Sequence, residues 1–129
     1  MINTNKIIYW TSTSFLSLGM LAGGIQQMFQ IGGYNEIVTQ LGYPLYMLSI
    51  LGTWKVFGVI AILIPKRPLL KEWAYAGFFF SMSGATISHI AVGQPITESL
   101  PSITLLLVVI VSWYFRSNDR KIIELQKQD

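Results

Sequence analysis

The chain has 129 residues, of which 52% are hydrophobic and only 12% are charged, and it carries a net charge of +3. This length predicts one domain, and the charged share is about half that of an average soluble domain. The basic residues do not gather in one patch, which argues against nucleic acid as a partner. Because the chain has no cysteine, thiol catalysis, disulfide exchange and cysteine-ligated zinc or iron–sulfur sites are excluded.

The charges leave four long windows empty, which is typical of an integral membrane protein. A helix needs about 20 apolar residues to cross the hydrocarbon core of a bilayer. We therefore predict an all-α polytopic membrane protein, a bundle of four transmembrane helices forming a single domain over residues 1–129. The predicted spans are about 7–31, 45–64, 73–92 and 102–115. The first is interpreted as a retained span, since it is too long for a signal peptide and no clear cleavage site follows it.

Small residues mark two of these spans as sites of close helix packing. Gly19 and Gly23 form a G-x-x-x-G pattern in the first span, and small residues recur from Gly77 to Ser88 in the third. Such patterns let another helix approach closely. Between the first two spans, residues 34–42 form a loop in which a short interfacial helix is possible.

The distribution of charge predicts the topology. Basic residues accumulate on the cytoplasmic side of membrane proteins. One side of the predicted bundle carries every basic residue outside the spans, and the opposite loops carry only Glu36 and Glu98. Both termini are therefore expected in the cytoplasm, with a multi-pass protein in the inner (plasma) membrane. The basic residues on that side are Lys6, Lys66, Arg67, Lys71, Arg116, Arg120, Lys121 and Lys127.

Lys55 is the single charge between Leu45 and Ile64 and falls near the middle of the second span. A lysine at the bilayer centre costs about 2.5–3.5 kcal/mol on insertion scales. Such a residue is expected to face the protein interior and to find partners there. A structural role, as a buried paired charge or a side chain reaching the interface, is the alternative to a ligand site.

Other polar residues are predicted to converge with Lys55 in the outer half of the bundle. Gln27 and His89 lie toward the outer ends of their spans, Glu36 in the loop above offers a counter-ion, and Trp54 is placed to pack on a ligand ring. Hydrogen bonding between helices is the alternative role for Gln27 and His89. One histidine without cysteine does not make a zinc or haem site, so no metal is expected.

Several motifs resemble those of the DoxX-like membrane proteins. Lys55 to Ala61 reads K-V-F-G-V-I-A, Lys71 to Phe78 reads K-E-W-A-Y-A-G-F, and Ser88-His89 and the late S-W-Y-F-R of Ser112 to Arg116 follow. The resemblance implies a compact four-helix bacterial inner-membrane protein. Some members of the wider family are linked to thiosulfate:quinone oxidoreduction or redox-stress complexes, and distant ones to receptor assembly. It implies no cofactor.

These features lead to three functional hypotheses. The first is a binding or accessory subunit, not an independent enzyme, that holds a small amphipathic ligand such as a quinone in an outward-facing pocket formed by Lys55, His89 and Gln27. The second is an assembly factor that contacts a membrane protein partner, or further copies of itself, within the lipid. The third is a small-molecule transporter, which the absence of Asp and Glu from the predicted spans disfavours for cationic substrates.

Overall fold

The computed structural model describes residues 3–116, and all regular structure in this range is helical. The all-α prediction is therefore confirmed for these residues. The basic residues predicted beyond Arg116 lie outside the described range. The helices are α1 (Thr4–Met28), α2 (Tyr34–Gln40), α3 (Tyr46–Leu63), α4 (Pro68–Ala91) and α5 (Leu100–Tyr114), with a 3-10 turn at Ile96–Ser99.

The four long helices pack as antiparallel neighbours. α1 contacts α3 and α5, and α4 contacts the same two helices from the other side. Their shared core is apolar and closely packed, with Tyr75 contributing a ring from α4. Its buried residues are Leu16, Met20, Val59, Ile62, Tyr75, Phe78, Met82 and Val109. We call the end of this assembly that carries α2 the α2 end, and the end that carries Thr4 and Arg116 the terminal end.

The backbones of α1 and α3 approach each other closely at Gly24 and Gly52. A Cβ atom at Gly52 would lie 2.6 Å from the backbone nitrogen of Met28 and would collide with the carbonyl oxygen of Gly24. The predicted G-x-x-x-G pair makes other contacts: Gly19 faces the Leu105 side chain of α5, and Gly23 faces the Tyr34 hydroxyl. The glycine of α1 that lets α3 approach closely is thus Gly24, one position beyond the predicted motif.

The two glycines of the predicted stripe on α4 do not serve the packing between the described helices. A Cβ atom added at Gly77 or Gly84 would meet no atom within 4 Å. The close contact between α3 and α4 is instead made by the Phe78 ring, which lies 2.6 Å from the position of a Cβ at Gly58. The predicted small-residue stripe from Gly77 to Ser88 therefore borders empty space at both of its glycines.

α4 begins at Pro68, five residues before the predicted span, because the turn residues continue into the helix. Proline suits a first helical position, where its missing N–H would have no partner. Lys71 then lies within α4, only 1% exposed, and its ammonium donates hydrogen bonds to the last carbonyls of α3. The acceptors are Ala61 at 3.1 Å, Ile62 at 2.9 Å, and Ile64.

The next residue, Glu72, ties α4 to its other neighbour. Its carboxylate pairs with the Arg116 guanidinium at 2.7 Å and accepts a hydrogen bond from Trp113 Nε1 at 2.9 Å. The guanidinium also lies over the Trp113 ring, 4.5 Å from its centroid. Glu72 thus joins the start of α4 to the end of α5.

Two helical stretches within residues 3–116 are long and apolar enough to cross a membrane by length and composition, Tyr46–Leu63 and Ile96–Tyr114. The crossings predicted along α1 and α4 remain predictions.

Candidate functional site

Lys55 lies near the middle of α3 and faces α1. Its Cβ atom is 3.0 Å from the position that a Cβ at Gly24 would take, so its stem leaves α3 directly against the glycine surface of α1. The side chain is half-buried. Among residues 3–116 its ammonium makes no hydrogen bond and no ion pair, since the one ion pair in this range joins Glu72 and Arg116. Three hydrogen-bond donors are thus left to be satisfied from outside the described chain.

Gln27 places an amide next to this surface. It lies on α1 three residues after Gly24, and residues three and four apart are neighbours on a helix face. Gln27 is 6% exposed, and its Oε1 is buried without a hydrogen-bond partner in the described part of the chain. A buried amide oxygen without a partner is unfavourable by about 1–3 kcal/mol, which makes it a candidate acceptor for a ligand.

Tyr34 is a third polar group at this surface, and the sequence did not single it out. It begins α2, directly after Gly32 and Gly33, whose φ angles of 77° and 83° turn the chain back over α1. Its hydroxyl lies 3.2 Å from the position of a Cβ at Gly23. Burial raises the pKa of the Tyr34 phenol above its ordinary value, so it remains a neutral hydrogen-bond donor.

The three side chains surround the glycine pair of α1. Tyr34 covers Gly23, Lys55 covers Gly24, and Gln27 follows one turn later toward the α2 end. We call Lys55, Gln27 and Tyr34 the Lys55 site. It offers a charged donor, a neutral donor and an amide with an unpaired oxygen. This combination suits a polar head group with carbonyl or hydroxyl oxygens, attached to an apolar body that the surrounding helices accommodate.

His89 takes part in a different set of contacts. It is buried in the last turn of α4, and its Nδ1 lies 2.5 Å from Oε1 of Gln94. Because an amide oxygen only accepts, Nδ1 carries the hydrogen. Gln94 in turn donates from Nε2 to Oε1 of Gln40, at the end of α2, over 3.3 Å. The structure thus joins His89 to α2 through Gln94, with no hydrogen bond to Lys55 or Gln27.

Neither of the remaining predicted site residues makes a hydrogen bond or an ion pair with Lys55 within residues 3–116. Glu36 is exposed on the first turn of α2 and forms no ion pair within residues 3–116. Trp54 is 67% exposed on α3. Their roles in ligand binding stay predictions.

A buried hydroxyl cluster at the terminal end also went unrecognised in the sequence. Ser112 of α5 bonds Thr13 of α1 at 2.6 Å and Tyr75 of α4 at 2.8 Å. Tyr75 and Ser112 fall within the resemblance motifs, but helical spacing alone does not show that they meet. Because each of these hydroxyls has a hydrogen-bond partner within the cluster, their burial requires no ligand. The cluster links α1, α4 and α5.

The described residues contain no group of three or more acidic, histidine or cysteine side chains that could hold a metal ion. All regular structure in this range is helical, and two of its helical stretches are long and apolar enough to cross a membrane. The sequence profile of the DoxX-like family matches residues 11–111, and the chain belongs to that family, as its motifs suggested. No curated protein and no solved structure matches the chain.

Proposed function

We propose that this DoxX-like protein is a multi-pass inner-membrane binding or accessory subunit that holds a small amphipathic ligand at the Lys55 site. In this proposal all four long helices span the membrane and the Lys55 site lies in its outer half. The observation that carries the proposal is the Lys55 ammonium, which stands in an apolar helix without a partner in the described chain. Inserting a lysine at such a position into the membrane costs about 2.5–3.5 kcal/mol. A ligand that accepts hydrogen bonds from the ammonium therefore offsets part of that cost.

The chemistry of the site favours a ligand with oxygen atoms on a planar or compact head group. Lys55 and Tyr34 each donate to a carbonyl oxygen, and the Gln27 oxygen accepts from a hydroxyl. The carbonyl oxygens of an oxidised quinone accept hydrogen bonds from Lys55 and Tyr34, and the hydroxyls of the reduced form accept from the same donors and also donate to Gln27. Quinones also carry the apolar tail that a site between membrane helices accommodates. We therefore take a quinone as the ligand class to test first, with the protein acting as its holder or as a partner in a redox complex.

The test is ligand-induced thermal stabilisation of the purified protein, with short-chain ubiquinone and menaquinone analogues. We expect wild type and the control Lys66→Met, changed at an exposed turn residue, to be stabilised equally. Lys55→Met should bind at least about tenfold more weakly, the effect of losing one charged hydrogen bond worth about 1.5–3 kcal/mol. Without ligand, Lys55→Met should be no less stable than wild type, because it removes a charge without a partner.

Two outcomes would contradict the proposal. Negligible stabilisation of all three proteins by every analogue would reject the quinone and favour the assembly-factor hypothesis. A marked loss of stability in unliganded Lys55→Met would show that the lysine has a structural partner instead.

A further inference from the structure

We infer that α2 is a latched lid over the Lys55 site, and that its opening admits the ligand. The role of the lid in ligand entry rests on the proposed function. The movement of α2 does not depend on that function and is measured separately. The inference combines three observations: the hinges on both sides of α2, the polar contacts that hold it, and the side chain with which it covers α1.

Glycines in left-handed backbone conformation border α2 on both sides. Gly32 and Gly33 precede it with φ angles of 77° and 83°, and Gly42 follows it with a φ of 84°. Glycine adopts this region without the strain that other residues incur, so both connections can change conformation readily. The seven-residue helix between them has one buried residue, Val38, all of its positions being described. Apolar packing therefore holds α2 only weakly.

Hydrogen bonds between side chains connect α2 to the end of α4 and the loop after it, through Gln40 and through Tyr43, whose backbone N–H also bonds the Val38 carbonyl of α2. Gln40 accepts from Gln94, which also bonds His89, and the Tyr43 hydroxyl lies 2.7 Å from Oγ of Ser88. We call these contacts the latch. The contacts of Gln40 and Tyr43 lie at exposed positions, where water can replace the lost partner. A latch of this kind opens at a small net cost in free energy.

Tyr34 makes α2 a cover for the site. Its side chain extends from the first residue of α2 to Gly23, which precedes the glycine that Lys55 contacts and lies one turn before Gln27. Movement of α2 away from α1 withdraws the Tyr34 hydroxyl from the site. Because Gln27 follows Gly23 by one turn of α1, we expect the same movement to expose its buried amide. When α2 closes again on a bound head group, Tyr34 adds a hydrogen-bond donor.

The first test measures access to position 27 without any ligand. Since the chain has no cysteine, Gln27→Cys introduces a single thiol. Its reaction with a water-soluble maleimide is followed in nanodiscs, which expose both membrane faces. Adding Gln94→Ala or Tyr43→Phe should speed the reaction about threefold to tenfold, the factor that corresponds to one ordinary hydrogen bond. Thr39→Ala is the matched control on α2, because its hydroxyl bonds only the Asn35 carbonyl of the same helix.

A second measurement covers the case in which Gln27→Cys does not fold. Backbone hydrogen exchange of residues 34–42 should accelerate in Gln94→Ala and in Tyr43→Phe, but not in Thr39→Ala. Association of a quinone analogue should accelerate in the same two variants. Faster exchange with no binding of any analogue would support the lid and reject the proposed function. Unchanged thiol reactivity and unchanged exchange in both latch variants would overturn the lid.

Discussion

Three lysines of this chain occupy three different environments, although each lies in or beside an apolar segment. Lys55 is half-buried without a partner in the described chain, Lys66 is exposed in a turn, and Lys71 is buried against helix carbonyls. The sequence placed Lys55 within a predicted span and assigned Lys71 to a connecting turn. Chain position did not reveal that Lys71 is only 1% exposed, because its partners come from the preceding helix.

The close packing of α3 against α1 can be tested by adding one methyl group at Gly52. A methyl group there meets the backbone of α1 at Gly24 and Met28, which cannot rotate away as a side chain could. We expect Gly52→Ala to destabilise the protein by about 1–3 kcal/mol through overpacking. Gly77→Ala is the matched control, since its methyl group enters open space and helix propensity favours alanine by about 0.5–1 kcal/mol. Unfolding in a denaturing detergent measures both, and equal stability of the two variants would contradict the close crossing.

At the scale of elements, α4 is positioned by two consecutive charged side chains. Lys71 contacts the end of α3, and Glu72 contacts Arg116 and Trp113 at the end of α5. The Lys71 contact also places a positive charge at the C-terminus of α3, where the helix dipole favours it. The K-E-W and S-W-Y-F-R motifs, far apart in sequence, therefore meet at the terminal end.

Lys71→Met is expected to lower stability by about 1.5–3 kcal/mol, because it keeps the apolar stem and removes the charged hydrogen bonds to three carbonyls. Lys66→Met, at an exposed position in the same turn region, should change stability little. Thermal unfolding of the two variants in one detergent gives the comparison. A Lys71→Met protein as stable as wild type would show that water replaces the ammonium at those carbonyls.

At the scale of the whole molecule, the remaining prediction is the orientation in the membrane. Among the described residues, Lys6, Lys66 and Arg116 lie at the terminal end, whereas Glu36 and Glu98 lie at the α2 end. With the positive end in the cytoplasm, Glu98→Cys should react with an impermeant thiol reagent in intact cells. Lys66→Cys should react only after permeabilisation. The reverse labelling pattern would invert the topology and place the Lys55 site in the cytoplasmic half.

Local sequence patterns determined the helical class, the family and the approximate positions of the long helices. Apolar windows, prolines and glycine turns act within a few residues, so α3 and α5 lie close to the predicted segments and α2 falls within the predicted loop. The sequence predicted the start of α4 less accurately, because the first turn of this helix is stabilised by contacts with α3 and α5 and not by local sequence alone.

Only the tertiary structure decided which side chains meet. Successive helical residues point about 100° apart, so the difference between Gly23 and Gly24 is the difference between facing Tyr34 and facing Lys55. α3 is apolar on nearly all sides and its sequence does not show which face turns to α1. The pairing of His89 with Gln94, and the reach of Tyr34 over α1, depend on helix rotation and on a left-handed turn. Such long-range geometry is set by packing of the whole chain, and periodicity within one segment does not contain it.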